Sequence, residues 1–230
     1  MCARPSCSAG RSPRREQQAR RTRARITAAA ARRFLACGYA AATMRAVAAD
    51  AGVALPTVEL VFGTKARLLK AVIDTAIAGD DAPVPMLDRE WATGAESMTG
   101  PAEFVAVCAQ QLTESAQRAA GLTLVALEAA WVDADIAAVA AQLMAQRQVM
   151  AAWLVDGLLA RSRLRASVDR AAAIHTVWAL TDPGLFRRLT GDRHWRLAHF
   201  GRWFSDATLR LLLSVPGQQP IATSHSPEVT

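Results

Sequence analysis

Lysine and tyrosine are nearly missing from this chain: Lys65 and Lys70 are its two lysines, and Tyr39 is its one tyrosine. Its positive charge is therefore almost all arginine, the side chain suited to forked contacts with phosphate and carboxylate. The four cysteines, Cys2, Cys7, Cys37 and Cys108, form no C-x-x-C pair and have no histidine cluster beside them, which excludes a disulfide framework or zinc site. Cys37 and Cys108 lie in apolar helical patterns and read as small core residues. No run of β-branched residues alternates with period two, so strands are not expected. No apolar run approaches the roughly 20 residues that span a bilayer. The basic N-terminus has no apolar stretch behind it and does not read as a secretory signal. The expectation is a cytoplasmic protein that makes no use of a membrane.

Catalytic patterns are missing too. The histidines, His175, His194, His199 and His225, have no spaced carboxylate or cysteine partners, and His194 and His199 stand five apart, the wrong interval for a pair on one helix face. There is no glycine-rich phosphate loop and no nucleophile elbow. Neither an enzyme nor a metal or cofactor site is expected.

What remains is alanine, leucine and arginine, all good helix formers, in a chain that is 52% hydrophobic and so has material for a sizeable core. An all-α fold follows. Charge is unevenly placed. Residues 1–75 hold 14 basic against 4 acidic residues, whereas residues 76–230 hold 13 against 16. A positive field at one end suggests a polyanionic partner for that end alone.

Composition and periodicity divide the chain into a disordered basic arm over 1–15, a helix-turn-helix domain over 16–79 whose fourth helix links onward, a second helical domain over 80–214, and a flexible tail over 215–230. The first helix is expected from Glu16 to Cys37, with Ile26, Ala30 and Phe34 inward and Gly38 as its stop. Thr43 caps a second helix that ends at Gly52. Leu55 opens a short third helix with Pro56 in its first turn, and Thr64 caps a fourth that ends at Gly79. Residues 80–100 read as an irregular connection. A helix from Pro101 is expected to break at Gly121, with a short helix following to Trp131. Asp135 and Ser167 are the expected caps of two further helices, Asp182-Pro183 starts a short one, and the last covers His194–Ser214.

The window from Thr43 to Lys65 has the layout of a helix-turn-helix, which sets one helix in the DNA major groove. In detail it resembles the TetR family of bacterial transcriptional repressors. The matching pieces are Ala30-Ala31-Arg32-Arg33-Phe34, Gly38-Tyr39, Thr43, Val47-Ala48, Ala51-Gly52-Val53, Pro56-Thr57-Val58, Phe62-Gly63-Thr64-Lys65 and Leu68-Leu69. The resemblance covers residues 22–75 specifically, and more loosely the length and helical pattern of the remainder, where it implies that residues 80–214 are a ligand-binding and dimerisation domain. It implies a homodimer on a palindromic operator in double-stranded DNA, released by a small-molecule effector of unknown identity. It implies DNA contacts from Thr43, Arg45, Pro56, Thr57 and Lys65, and the chain's own chemistry adds Leu55, Glu59, Leu60, Val61 and Arg23. Glu59 departs from the family, which usually has an aromatic residue there. It cannot donate to phosphate, but it can accept from cytosine N4 or turn toward Arg45 or Arg67. Leu55, Leu60 and Val61 offer only apolar contact. Base readout is therefore expected to be thin, with phosphate contacts and DNA shape carrying much of the binding.

In the second domain Cys108, Trp131, Met150, Trp153, His175 and Trp178 are candidate pocket-lining residues, set against a plain core role for each. Trp195, Phe200, Trp203 and Phe204 are candidates for a dimer interface built from the last long helices. Two other readings stand beside the regulator: a helical ligand-binding protein with a degenerate DNA-binding head, and a helical enzyme without a recognisable motif.

Overall fold

The structure, a computed structural model, describes residues 13–214. The expected basic arm lies outside that range except for its last three residues, and the expected tail lies outside it entirely. Ten α-helices make up the described chain: α1 (Pro13–Ala41), α2 (Met44–Ala51), α3 (Leu55–Phe62), α4 (Lys65–Ala78), α5 (Glu90–Ser97), α6 (Pro101–Ala129), α7 (Ala134–Leu159), α8 (Arg170–Leu180), α9 (Pro183–Arg187) and α10 (Leu197–Leu212). Among the described residues the only β-type pairing is an isolated bridge at Leu164 and Leu213, so the fold is all-α as the composition requires. No helix among them is long and apolar enough to cross a membrane.

The chain forms two compact units, residues up to 84 with 114–145, and 85–113 with residues from 146 onward. The divisions fall within α6 and α7. In the first unit α1 packs on α2 and α4. The core joins Ile26, Ala30 and Phe34 of α1 to Val47, Val58, Phe62, Leu69 and Ile73, and to Leu122, Ala126, Ile136 and Leu143. Each of these side chains is shielded from water, a burial worth about 1.5–3 kcal/mol for a Leu, Ile or Phe.

The turns are set by caps. The Thr43 hydroxyl accepts from the Ala46 N–H at 3.1 Å and the Thr64 hydroxyl from the Arg67 N–H at 3.2 Å, which satisfies an orphan donor at the start of α2 and α4. Gly52 ends α2 at φ 62°, ψ 42°, and the N–H of Val53 returns to the Ala48 carbonyl at 3.0 Å. The Arg25 guanidinium from α1 donates to the carbonyls of Ala51 at 2.5 Å and Gly52 at 3.1 Å. At the far end of α4, Arg118 donates to Ala76 and Ile77 at 2.8 and 3.2 Å, and the Ser115 hydroxyl donates to Ile77 at 2.8 Å.

In the second unit the same device recurs. Arg161 donates to the carbonyls of Glu96 at 2.6 Å and Met98 at 2.7 Å at the end of α5, while its guanidinium lies 4.3 Å over the Phe104 ring. Arg147 donates to the Trp178 carbonyl at 2.7 Å near the end of α8 and lies 4.6 Å over the Trp178 ring. Desolvation lowers its pKa, opposed by Asp182 at 3.8 Å.

Several sequence expectations need correction. Residues 80–100 are not all irregular, because α5 forms there and buries Ala92 and Ala95. Gly121 does not break α6. A Cβ there would stand 2.9 Å from Leu35 Cδ2, so the glycine serves close packing inside a continuous helix. Asp133, not Asp135, caps α7, accepting from the N–H groups of Asp135 and Ile136 at 3.0 and 3.1 Å. Asp169, not Ser167, caps α8 through the Ala172 N–H at 2.8 Å. The last helix, α10, begins at Leu197 rather than His194, whereas the expected interruption at Gly38 is present: its φ 72° and ψ 179° are non-helical, and a further helical stretch runs to Ala41. The Asp182-Pro183 start of α9 is as expected, with Asp182 accepting from the Leu185 N–H at 3.0 Å.

A Cβ at Gly52 would meet a left-handed backbone and stand 2.8 Å from Arg25 Nη2, displacing the guanidinium from its two carbonyls. Gly52→Ala is expected to destabilise the protein by about 1–2 kcal/mol, seen as a lower urea midpoint. A midpoint equal to wild type would mean that this turn places no demand on residue 52.

Candidate nucleic-acid interface

The outer face of α3 follows from what its inner face must do. Val58 and Phe62, four residues apart, point into the core at 0% and 6% exposure. The opposite stripe is then Pro56, Glu59, Leu60 and Gly63, spaced as neighbours on one helix face, and all four are exposed. Leu60 is 88% exposed, a high value for a large apolar side chain on a short helix. Thr57 is half-buried and Val61 exposed at the flanks of the stripe. Leu55 packs partly against the core, so it faces inward more than the sequence pattern suggested. Glu59 has no ion pair among the described residues; neither Arg45 nor Arg67 turns to meet it.

The cations sort into two groups. Lys65 is tied down: its ammonium donates to the Tyr39 carbonyl at 2.8 Å and lies 4.1 Å over the Tyr39 ring. Arg23 lies 4.6 Å over the Phe62 ring, Arg25 caps α2, and Arg33 pairs with Asp50 at 2.6 Å. Arg45, one residue into α2, is exposed and has no acidic partner among the described residues, and Arg20 and Arg21 are exposed on α1. Thr43 is exposed, and with its oxygen engaged by Ala46 its hydroxyl proton is left to donate outward.

Tyr39 binds these pieces together. It stacks on Phe34 with ring centroids 6.2 Å apart. Its pKa is pushed up to about 12, first by burial, then by the charge of Asp133 and a hydrogen bond to it, then by Asp135. The sequence pattern did not reveal this link, because it depends on the turn before α7 returning to the end of α1.

The proposed pocket residues do not form one set. Trp131 sits in the turn after α6 and is 91% exposed, because the helix has ended before it and its side chain leaves the core; it lines no enclosed cavity in this chain. His175 is exposed, while Met150 is half-buried. Trp153 is half-buried against Trp91 and Phe104, and its indole N–H donates to Glu96 at 3.2 Å. Trp178 is covered by Arg147. Cys108 is buried, and burial pushes its thiol up to about 12, against the opposing charge of Arg161, which keeps it protonated and inert. Of the proposed interface residues, Phe200 and Phe204 are interior at 3% and 1% exposure, because they form the inner face of α10 with Thr208 and Leu212. They are not available to a second copy. Trp195 and Trp203 are half-buried. Among the described residues no group of three or more His, Cys, Asp or Glu could hold a metal ion.

Residues 26–72 match the sequence profile described as bacterial regulatory proteins, tetR family. No curated protein matches the chain significantly. The fold is similar to that of NalD, the secondary repressor of the MexAB-OprM multidrug efflux pump in Pseudomonas aeruginosa, with TM-score 0.64 and 19% identity over 87% of this chain and 100% of that one. It is similar also to the fatty acid degradation regulator FadR from Bacillus halodurans, with TM-score 0.64 and 16% identity over 81% and 97%. A third likeness is to SmeT in complex with triclosan, with TM-score 0.64 and 19% identity over 90% and 99%. At these identities the likeness is one of fold.

Because Tyr39 is the only tyrosine, its ionisation can be followed by absorbance at 295 nm. The folded protein should titrate near pH 12 and the urea-unfolded chain near the ordinary value of about 10. The folded pKa is raised, so the associated stability is present in full below about pH 10 and is lost as the pH rises toward 12. A folded-state titration at the ordinary value would remove Tyr39 from its place as a buried link.

Proposed function

We propose, from the premise that residues 26–72 are a tetR-family regulatory domain, that the protein is a homodimeric transcriptional regulator acting in the cytoplasm. In this reading it represses by binding a palindromic operator and is released by a small molecule bound in the second unit. The observation that carries the reading is the pair α2 and α3, fixed by the Gly52 turn and the Arg25 clamp, with the Pro56–Glu59–Leu60 stripe facing outward. A stripe of that length on a helix held by its inner face is what the major groove admits. NalD is a repressor and SmeT was solved with triclosan; both favour repression relieved by a ligand.

Roles divide by chemistry. Arg45 and the Thr43 hydroxyl hold phosphates, with Arg20 and Arg21 behind them. Lys65 positions, since one of its three donors is already committed to Tyr39. Thr57, Glu59, Leu60 and Val61 meet base edges. Glu59 accepts from cytosine N4, and Leu60 covers a thymine methyl. With Phe200 and Phe204 interior, a second copy is met by the exposed α8 residues Ala171, Ala172, His175 and Ala179, where the three alanines allow close helix approach. The exposed, unpaired Glu59 supports a competing reading, a ligand-binding protein whose head no longer docks on DNA.

Selection of bound duplexes from a random pool, followed by footprinting, separates the two. A palindromic consensus is expected. Arg45→Ala should weaken binding to every sequence and lower the slope of log K against log salt by about 0.9 per protomer. Glu59→Gln should move one position in each half-site from cytosine toward adenine. No enriched sequence would sink the regulator reading and leave the degenerate head. For the second copy, sedimentation should give a dimer at micromolar concentration and a monomer for Ala179→Arg, which buries two uncompensated charges across the two-fold. A variant that stays dimeric rules out the α8 face.

A further inference from the structure

A second basic region lies far along the chain from the helix-turn-helix. Residues 187–202 contain five arginines and two histidines against the single acid Asp192. The wider segment 76–230 is net acidic, so this local excess is not a feature of overall composition. It is also folded into a shape. An open cleft of about 500 Å3 is lined by His194, Trp195, Arg196, Ala198, His199 and Arg202. Four of these six side chains are basic, and no acidic residue lines the cleft. Arg196, Arg202, His194 and His199 are all exposed and have no ion pair among the described residues. In this they differ from Arg147, Arg161 and Arg170 of the same unit, whose guanidinium groups are committed to carbonyls or a carboxylate.

The cleft also has an aromatic floor. Trp195 and His199 stack with ring centroids 4.1 Å apart and planes 19° from parallel, and Trp203 meets Trp195 edge-on at 5.8 Å. Behind this cluster Trp203 also meets Phe200, which is 3% exposed, at 5.6 Å and so ties the aromatic group to the interior of α10. Two forked cations beside the Trp195–His199 stack complement a molecule with an anionic group and a planar ring. The guanidinium groups take the carboxylate or phosphate in paired hydrogen bonds, and the ring stacks on the floor. The opening matches the size range of small-molecule sites, roughly 300–1,000 Å3.

We propose that this cleft, at the entrance to α10, is a binding site for a small aromatic anion, carrying a carboxylate or a phosphate, with Arg196 and Arg202 holding the charge and the Trp195–His199 stack holding the ring. The site is built from residues of the second unit alone, and the proposal does not rest on the reading of α3.

The test is calorimetric titration of the full chain with phthalate, and in parallel with pyrophosphate, which carries charge but no ring. Phthalate should bind, and pyrophosphate at least about tenfold more weakly. The double variant Arg196→Gln/Arg202→Gln should lose at least about tenfold in phthalate affinity while keeping the wild-type circular dichroism and thermal midpoint. Arg187→Gln/Arg193→Gln removes the same formal charge from the same segment without touching the cleft lining, and should leave phthalate affinity within about twofold. Equal losses in the two double variants would show attraction to net charge and overturn the site. So would failure of phthalate to bind, unchanged binding in Arg196→Gln/Arg202→Gln, or pyrophosphate binding as tightly as phthalate.

Discussion

Every helix ends with carbonyls that have no partner inside the helix, and at five helix ends in this protein the answer to that constraint is a cation sent from elsewhere in the chain. Arg25 closes α2, Lys65 reaches the last turn of α1, Arg118 closes α4, Arg161 closes α5 and Arg147 closes α8. Each contact does three things at once. It satisfies an acceptor that would otherwise be lost to desolvation, it sets positive charge against the negative end of a helix dipole, and it fixes the distance between two helices in space. A hydrogen bond to a charged group contributes about 1.5–3 kcal/mol. Losing one of these therefore removes a helix end and a packing register together. The short helices α2 and α5, eight residues each, are too short to persist alone and depend on it most.

This use of cations changes how the charge of the N-terminal segment should be read. Its excess of basic residues looks, in the sequence, like a reservoir for phosphate. In the fold, Arg25 and Lys65 are spent on carbonyls, Arg33 and Lys70 on Asp50 and Asp74, and Arg23 on the Phe62 ring. These groups still add to the positive field that steers a polyanion, but their geometry is committed. The side chains left with room to move are fewer, and Arg45 is the one beside the start of α2. Field and contact are thus carried by different residues.

The all-α fold and the helix-turn-helix were legible because they rest on local signals. Thr43, Gly52, Pro56, Thr64 and Gly79 act within one turn of where they stand, and the spacing of Ile26, Ala30 and Phe34 needs only one helix to express it. What was not legible depends on partners distant in sequence. Gly121 reads as a breaker until Leu35 is seen against it, and Tyr39 reads as a packing ring until Asp133 meets its hydroxyl. Phe200 and Phe204 look like an excess of aromatic surface because one helix does not disclose which neighbours cover it. Trp131 misled for the opposite reason: an apolar residue just past a helix end has no face assigned by periodicity. The candidate site followed the same rule: its scaffold and the exposed Arg45 were readable, and the commitment of Lys65 to Tyr39 and of Arg23 to the Phe62 ring was not.

The α3 stripe completes the argument about specificity. Donors are what phosphates and guanine ask for, and the stripe offers none: Glu59 accepts, Leu60 is apolar, and Pro56 has no N–H. Under the proposed reading, nonspecific affinity comes from elsewhere, from Arg45, Thr43 and the arginines of α1. If the stripe meets base edges as proposed, affinity is left to phosphate contacts shared by all sequences, and wrong sites are rejected mainly by what the stripe does not tolerate. An unpaired carboxylate set against an acceptor edge is repelled, and against cytosine N4 it is not. Under the proposed reading, discrimination through Glu59 is therefore largely negative, made by a carboxylate that no cation among the described residues neutralises, on a helix that follows a turn whose Ala51 and Gly52 carbonyls are held by Arg25.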